Sequence, residues 1–226
     1  MQLDSLQVQI RCNERGPNLL GVTAGIAGSS RRGSCQVFIN RKLGELNLKV
    51  VYYGPSLSGK TTNLEYIHAN IDPKLRSELV SLKTHEDRTL FFDFMQLELG
   101  RIRGLKPKFN LYTVPGQPCY VASRRLVLQG ADGVVYVADS QLSRLKANIE
   151  TMRNLEENLQ ALGTNPLDFP VVLQYNKRDL PSIAPVALLR MQLARDGVPQ
   201  FQSVATEGVG VLETLKAAIN LIVSRI

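Results

Sequence analysis

Residues 54–62, GPSLSGKTT, fit the pattern G-x-x-x-x-G-K-[ST], whose residue types suit the binding of a phosphate chain. The glycines allow the backbone to curl so that successive N–H groups point at one anion, and a helix starting near Lys60 adds the positive end of its dipole. The Lys60 ammonium would bridge the β- and γ-phosphates of a nucleoside triphosphate, and the Thr61 hydroxyl would bind Mg²⁺. An apolar run at 48–53 precedes the loop. This strand–loop–helix order favours a phosphate-binding loop over a plain glycine-rich turn.

A second motif, Asn176-Lys177-Arg178-Asp179, follows an apolar run at 171–175 and would select the base. Guanine presents two adjacent donors, N1–H and the N2 amine, and the Asp179 carboxylate can accept both, whereas adenine would leave that carboxylate unpaired. The stem of Lys177 would cover the base, Asn176 would tie this loop to the phosphate loop, and the Ala205 N–H would bind guanine O6. A four-residue match alone is also typical of a charged loop after a strand. Together the two motifs predict a guanine nucleotide.

The elements that must position these motifs alternate along the chain. Apolar and alternating runs predict strands at 37–40, 46–53, 89–95, 109–114, 133–139, 171–175 and 201–205, and helical periodicity predicts helices at 60–71, 143–162, 186–195 and 211–225. The first two strands, joined by a short polar turn, predict an N-terminal hairpin at a sheet edge. The sequence therefore predicts an α/β fold, a mostly parallel sheet flanked by helices with its ligand at the carboxyl ends of the strands.

The first 36 residues do not share this periodicity, and we expect a flexible extension or an upstream start that translation does not use, ahead of a single domain at 37–226. The formal net charge is +7, but seven basic and three acidic residues within positions 1–50 account for +4 of it. The sequence contains no block of lysine and arginine interleaved with aromatic residues. A solvated surface is therefore expected, and no nucleic-acid partner.

The three cysteines, Cys12, Cys35 and Cys119, form no C-x-x-C pair and favour a reducing compartment. His68 and His85 are the two histidines, so a metal held by a histidine cluster is not expected and any metal should be Mg²⁺. No apolar run approaches the roughly 20 residues that cross a bilayer, and direct membrane insertion is not expected. We predict a cytoplasmic protein, with polar or membrane association arising through partners.

Longer motifs make the chain resemble the MglA-type bacterial small GTPases, which are Ras-like switches of gliding motility and cell polarity. The resemblance covers residues 37–226 and rests on VYYGP at 51–55, DRTLFFDF at 87–94, YTVPGQ at 112–117, VADS at 137–140, YNKRDL at 175–180 and TEGVG at 206–210. It implies the Ras-like P-loop GTPase fold, a cycle between GTP and GDP with Mg²⁺ as cofactor, and hydrolysis of GTP to GDP and phosphate in a polarity or motility switch.

The resemblance also implies catalytic roles. Arg88 would act as a built-in arginine finger and Gln117 would orient the attacking water; for Arg88 a solvent-facing salt bridge is the alternative. Thr113 stands where most Ras-like proteins have a magnesium-binding aspartate, as it does in the family, so the metal would rely on Thr61, Thr89, phosphates and water. The expected nucleotide-binding residues are Gly54, Ser56, Ser58, Gly59, Lys60, Thr61, Thr62, Gly116, Asn176, Lys177, Asp179, Ala205 and Thr206.

Two departures from the family bear on the rate of hydrolysis. The family usually has glycine at the position of Ser56, against the γ-phosphate, and Pro118 pushes Gln117 towards an extended conformation. Both predict slow hydrolysis without an activating partner, which the resemblance implies to be a roadblock-domain protein of the MglB type. The alternative is a GTP-binding scaffold with little or no hydrolysis. Nothing in the sequence indicates the acceptor site and arginine-bearing lid of a P-loop kinase.

Overall fold

The computed structural model describes residues 38–40, 44–83, 91–117 and 120–226. Its strands are β1 (Phe38–Asn40), β2 (Glu45–Tyr53), β3 (Val80–Lys83), β4 (Phe91–Glu98), β5 (Lys106–Thr113), β6 (Gly133–Asp139), β7 (Val171–Asn176) and β8 (Gln200–Gln202). Its α-helices are α1 (Lys60–Asn70), α2 (Val121–Leu128), α3 (Leu145–Ala161), α4 (Val186–Leu193) and α5 (Val211–Val223). The predicted extension over residues 1–36 lies outside the described ranges.

The described strands form one sheet in the order β3-β4-β5-β2-β6-β7-β8, with β1 paired to β2. Strands β5, β2, β6, β7 and β8 run parallel, whereas β4 is antiparallel to β5 and β3 is antiparallel to β4. The predicted mostly parallel α/β fold is confirmed. Strand β1 forms the predicted hairpin by pairing with the first three residues of β2, and the rest of β2 lies at the centre of the sheet.

Two apolar layers cover the sheet because side chains alternate between its faces along each strand. In β2, Leu48 and Val50 pack with α1 and α5, whereas Val51 and Tyr53 pack with α2, α3 and α4. Every residue of β6 and of β7 is buried, as expected for parallel strands covered on both faces. This two-sided core fixes the carboxyl ends of β2, β5, β6 and β7 at one edge, where the motif loops begin.

Three features differ from the expectation. The strand β3 and the helix α2 were not predicted, because β3 is a short exposed edge strand and the buried face of α2 includes an arginine, Arg124. Strand β8 ends at Gln202, although the apolar pattern predicted pairing to residue 205. Beyond Gln202 the Ser203 hydroxyl and the Ala205 N–H both donate to the Asn176 side chain. No helix within the described ranges is long and apolar enough to cross a membrane.

Candidate functional site

The phosphate loop joins the buried end of β2 to the first turn of α1, as predicted. Gly54 and Gly59 have positive φ angles of 142° and 100°. At Gly59 a Cβ atom would lie 2.1 Å from Asn176 Nδ2, so this position admits no side chain while the base loop is in place. The sequence folds locally in this way because glycine alone combines such backbone angles with such a close approach.

Lys60 is buried at the centre of this loop, with 7% of its surface exposed. Its Nζ donates to the carbonyl oxygens of Pro55 at 2.7 Å and Gly54 at 3.1 Å. Burial and, to a smaller extent, the positive charge of Arg124 lower its pKa to about 7, although the carboxylate of Asp93 acts in the opposite direction. Among the described residues no carboxylate lies within ion-pair distance of this ammonium. A buried cation held only by neutral carbonyl groups fits an incoming anion such as a phosphate.

A cleft of about 510 Å³ opens beside Lys60. The phosphate loop and the start of α1 form one wall, and strands β3, β4 and the end of β5 form the other. Its lining residues are Ser56, Leu57, Gly59, Lys60, Thr61, Thr62, Glu65, Ser81, Phe92, Asp93, Thr113, Val114, Pro115 and Gly116. The cleft therefore brings together six of the predicted nucleotide-binding residues, including Gly116 from the segment after β5.

Asp93 is a candidate site residue that the sequence analysis did not identify. Its Oδ2 accepts hydrogen bonds from the Thr61 hydroxyl at 2.6 Å and the Thr113 hydroxyl at 2.9 Å, and its Oδ1 accepts one from the Ser81 hydroxyl at 2.6 Å. One carboxylate and three hydroxyl groups thus meet in the cleft. These hard oxygen donors are the ligands that Mg²⁺ prefers, directly or through water. A single acidic residue inside the apolar run of residues 90–95 is the sequence signal that could have identified it.

The segment after β5 packs against the phosphate loop. A Cβ atom at Gly116 would lie 2.4 Å from the backbone nitrogen of Ser56, so the two backbones are in close contact. Arg124, which is 4% exposed, donates to the Gln117 carbonyl at 2.7 Å through Nη1 and to Asn154 Oδ1 at 2.8 Å through Nε. Arg124 therefore anchors the backbone of Gln117 to helix α3, a role that the sequence pattern did not reveal.

Two of the expected residues cannot be placed. Arg88 and Thr89 lie outside the described residues, as do Pro118 and Cys119. Gln117 is described and is exposed at the end of the segment held by Arg124. The predicted arginine finger and the predicted second magnesium-binding threonine therefore stay predictions.

The base motif lies at the carboxyl end of β7, next to the phosphate loop. Asn176 Nδ2 donates to the Ser58 carbonyl at 2.8 Å, and Asn176 Oδ1 accepts from the Ala205 N–H at 2.9 Å. This side chain thus connects the phosphate loop, the base loop and the loop after β8. Because the Ala205 N–H already has an acceptor, its contact with guanine O6 stays a prediction, and Thr206 beside it is exposed.

Within the base motif, Lys177 is paired with a buried carboxylate, whereas Asp179 is exposed. The Lys177 Nζ lies 2.8 Å from Oδ2 of the buried Asp139, which holds the lysine ammonium in place. The Asp179 side chain is exposed and has no hydrogen-bond or ion-pair partner within the described part of the chain. An unpaired carboxylate at this place is available to accept the two donors of guanine.

We compared the chain with known proteins. No protein-family model matches it. It is 52% identical over 189 residues to the mutual gliding-motility protein MglA of Myxococcus xanthus (strain DK1622), and this alignment covers 84% of the chain and 97% of that protein.

Proposed function

The chain belongs to the MglA family of bacterial small GTPases, and on that premise we propose that it binds GTP and hydrolyses it to GDP and phosphate as a molecular switch. The name of the relative supports a role in bacterial gliding motility or cell polarity. A switch of this kind presents one surface in the GTP state and another after hydrolysis.

A single observation carries this proposal: the cleft has a buried lysine on one wall, and on the other a carboxylate that accepts from two hydroxyl groups of its own wall and from the Thr61 hydroxyl across the cleft. Lys60 would attract the β- and γ-phosphates, and backbone N–H groups between Gly54 and Thr62 would surround the β-phosphate. The edge of the base would meet Asp179 while Lys177 covers its face. The Asn176 side chain would hold the two halves of this site at a fixed separation.

The oxygen cluster around Asp93 fits Mg²⁺. When bound, Mg²⁺ neutralises charge on the β- and γ-phosphates. Thr61 would bind the ion through its hydroxyl group, and Asp93 would hold it directly or through water. Thr113 would orient the Asp93 carboxylate, since its hydroxyl also accepts the Asp93 N–H at 2.8 Å.

For hydrolysis we propose that Gln117 orients the attacking water and that Arg88 supplies positive charge to the γ-phosphoryl group. Arg124 would position Gln117 by holding its backbone carbonyl. The tight contact between Gly116 and Ser56 leaves little room for these groups to rearrange, which supports a slow basal rate. The same contact favours the second candidate, a GTP-binding scaffold with little or no hydrolysis.

The activating partner that we propose is a roadblock-domain protein of the MglB type, which would move Arg88 and Gln117 into position. We further propose that the protein acts in the cytoplasm and reaches the cell pole or the membrane through partners.

Single-turnover hydrolysis of γ-labelled GTP, with and without a roadblock-domain protein, separates the two candidates. The enzyme proposal expects slow phosphate release that the partner accelerates, and a Gln117→Ala variant that binds GTP but releases phosphate more slowly. Binding of GTP with no phosphate release under either condition would support the scaffold. Absence of GTP binding would reject both.

A further inference from the structure

Leu57 lies in the phosphate loop with a φ angle of +63°, a left-handed conformation that residues with a Cβ atom rarely adopt. Its side chain is 81% exposed, so packing of that side chain does not compensate for the unfavourable backbone. Another contact must hold the peptide between Ser56 and Leu57 in place.

Arg144 makes that contact. It directly precedes α3, and its Nη2 donates to the Ser56 carbonyl oxygen at 2.7 Å. Its Nε lies 4.0 Å from Oδ2 of Asp139, whose side chain is 1% exposed. The carboxylate of Asp139 therefore orients the guanidinium group, which is charged at every physiological pH and reaches the loop across 88 sequence positions.

Because a peptide bond is planar, a contact that fixes the Ser56 carbonyl also fixes the direction of the Leu57 N–H. None of the described peptide bonds is cis, so the Ser56 carbonyl and the Leu57 N–H point in opposite directions. With the carbonyl fixed on Arg144, the Leu57 N–H is directed away from Arg144. Ser56 and Leu57 both line the phosphate cleft, and an N–H group pointing into it is a donor for a phosphate oxygen.

We propose that Arg144 is a positioning residue for phosphate binding, which holds the left-handed Leu57 so that its N–H faces the triphosphate. This inference rests on the proposed nucleotide-binding function. It does not require Arg144 to touch the nucleotide. Since Asp139 Oδ2 also accepts from Lys177 Nζ at 2.8 Å, the same carboxylate connects the base loop to the phosphate loop.

A double-mutant cycle tests the inference. We would measure the affinity for a fluorescent GTP analogue, with Mg²⁺, in the wild type, Arg144→Met, Leu57→Gly and the double variant. Arg144→Met should weaken binding about tenfold, the size expected for the conformational penalty of a left-handed leucine. In the Leu57→Gly background the same substitution should cost roughly threefold or less, because glycine adopts this conformation without that penalty. Arg153→Met, an exposed arginine on α3, is the matched control and should bind like the wild type.

The outcomes are distinguishable. Equal loss of affinity in both backgrounds, or no loss in either, would overturn the positioning role while leaving nucleotide binding intact. A wild-type protein that binds no guanine nucleotide would instead overturn the proposed function. If Arg144→Met does not fold, Arg144→Lys gives the same comparison, because lysine keeps the charge but lacks the planar fork that contacts Ser56 and Asp139 together.

Discussion

The Asp93 carboxylate and the Thr113 hydroxyl lie 2.9 Å apart on the neighbouring strands β4 and β5. Thr113 occupies the place at the end of β5 where most Ras-like proteins carry a magnesium-binding aspartate. In this protein the carboxylate comes from the adjacent antiparallel strand and reaches the same part of the cleft, where it also accepts from Thr61. The relocated carboxylate explains how a cleft with a threonine at the end of β5 still offers a hard anionic ligand.

Replacing Asp93 with asparagine should therefore weaken nucleotide binding in the presence of Mg²⁺. We expect roughly a 10–100-fold loss of affinity for GTP, the range found when a group that supports a metal is removed. In EDTA, which removes Mg²⁺, the Asp93→Asn variant should bind GTP nearly as well as the wild type, because no metal then contributes to binding. Dissociation of a fluorescent nucleotide with and without Mg²⁺ measures both. Equal losses under the two conditions would show that Asp93 supports the fold and does not support the metal.

The buried charge of Lys60 predicts an unusual pH dependence for the nucleotide-free protein. Its folded pKa of about 7 lies below the ordinary value of 10.5, so between these values the unfolded chain binds more protons. The free energy of unfolding should therefore rise with pH from 7 to 9.5, by up to about 1.4 kcal/mol per pH unit for one proton. Urea titrations at several pH values should show this slope in the wild type and its absence in Lys60→Met. If Lys60→Met shows the same slope, the pH dependence of the free energy of unfolding does not arise from Lys60.

Arg124 should affect hydrolysis more than nucleotide binding. Arg124→Met removes the donor that holds the Gln117 carbonyl, so Gln117 loses its fixed position. We expect slower single-turnover hydrolysis, GTP affinity close to that of the wild type, and a loss of about 1–3 kcal/mol in the free energy of unfolding for the unpaired buried groups. Arg125→Met is the control, because Arg125 lies on the same helix with an exposed side chain. Parallel losses of affinity and rate would exclude a specific role in positioning Gln117.

The bulk of the Ser56 side chain should limit the rate of GTP hydrolysis in the absence of a partner. Ser56 contacts Gly116, the residue before Gln117. In the proposed GTP-bound state the serine side chain would lie where Gln117 and the γ-phosphate come together. Ser56→Gly removes side-chain bulk from this point and should raise the single-turnover rate without raising the affinity for GTP. Measurement of phosphate release with saturating protein tests this directly. An unchanged rate would reject crowding as the cause of slow hydrolysis.

Most of the fold and the two nucleotide motifs could be predicted from the sequence, because each depends on residues close together in the chain. The loop at residues 54–62 carries its own glycines and lysine, and buried strands such as β6 and β7 appear as continuous apolar runs. A lone acidic residue in an apolar run marks Asp93 as unusual, but it does not show what the side chain contacts. Its role depends on the register between β4 and β5, which no local pattern specifies.

The two structurally important arginines escaped prediction for a related reason. Arg124 is a charged residue on a buried helix face, and sequence patterns treat such residues as exposed. Arg144 contacts the phosphate loop across 88 positions of sequence. Both roles follow from tertiary packing, as does the early end of β8, beyond which the Ala205 N–H donates to the Asn176 side chain.

Competition binding tests most directly whether the protein selects a guanine nucleotide through Asp179 of the base motif. The wild type should prefer GTP to both ATP and XTP. Asp179→Asn should reverse the preference to XTP, because the asparagine amide donates to the C2 oxygen that xanthine carries in place of the guanine amine. A wild type that does not distinguish GTP from ATP, or an Asp179→Asn variant that still prefers GTP, would contradict the account.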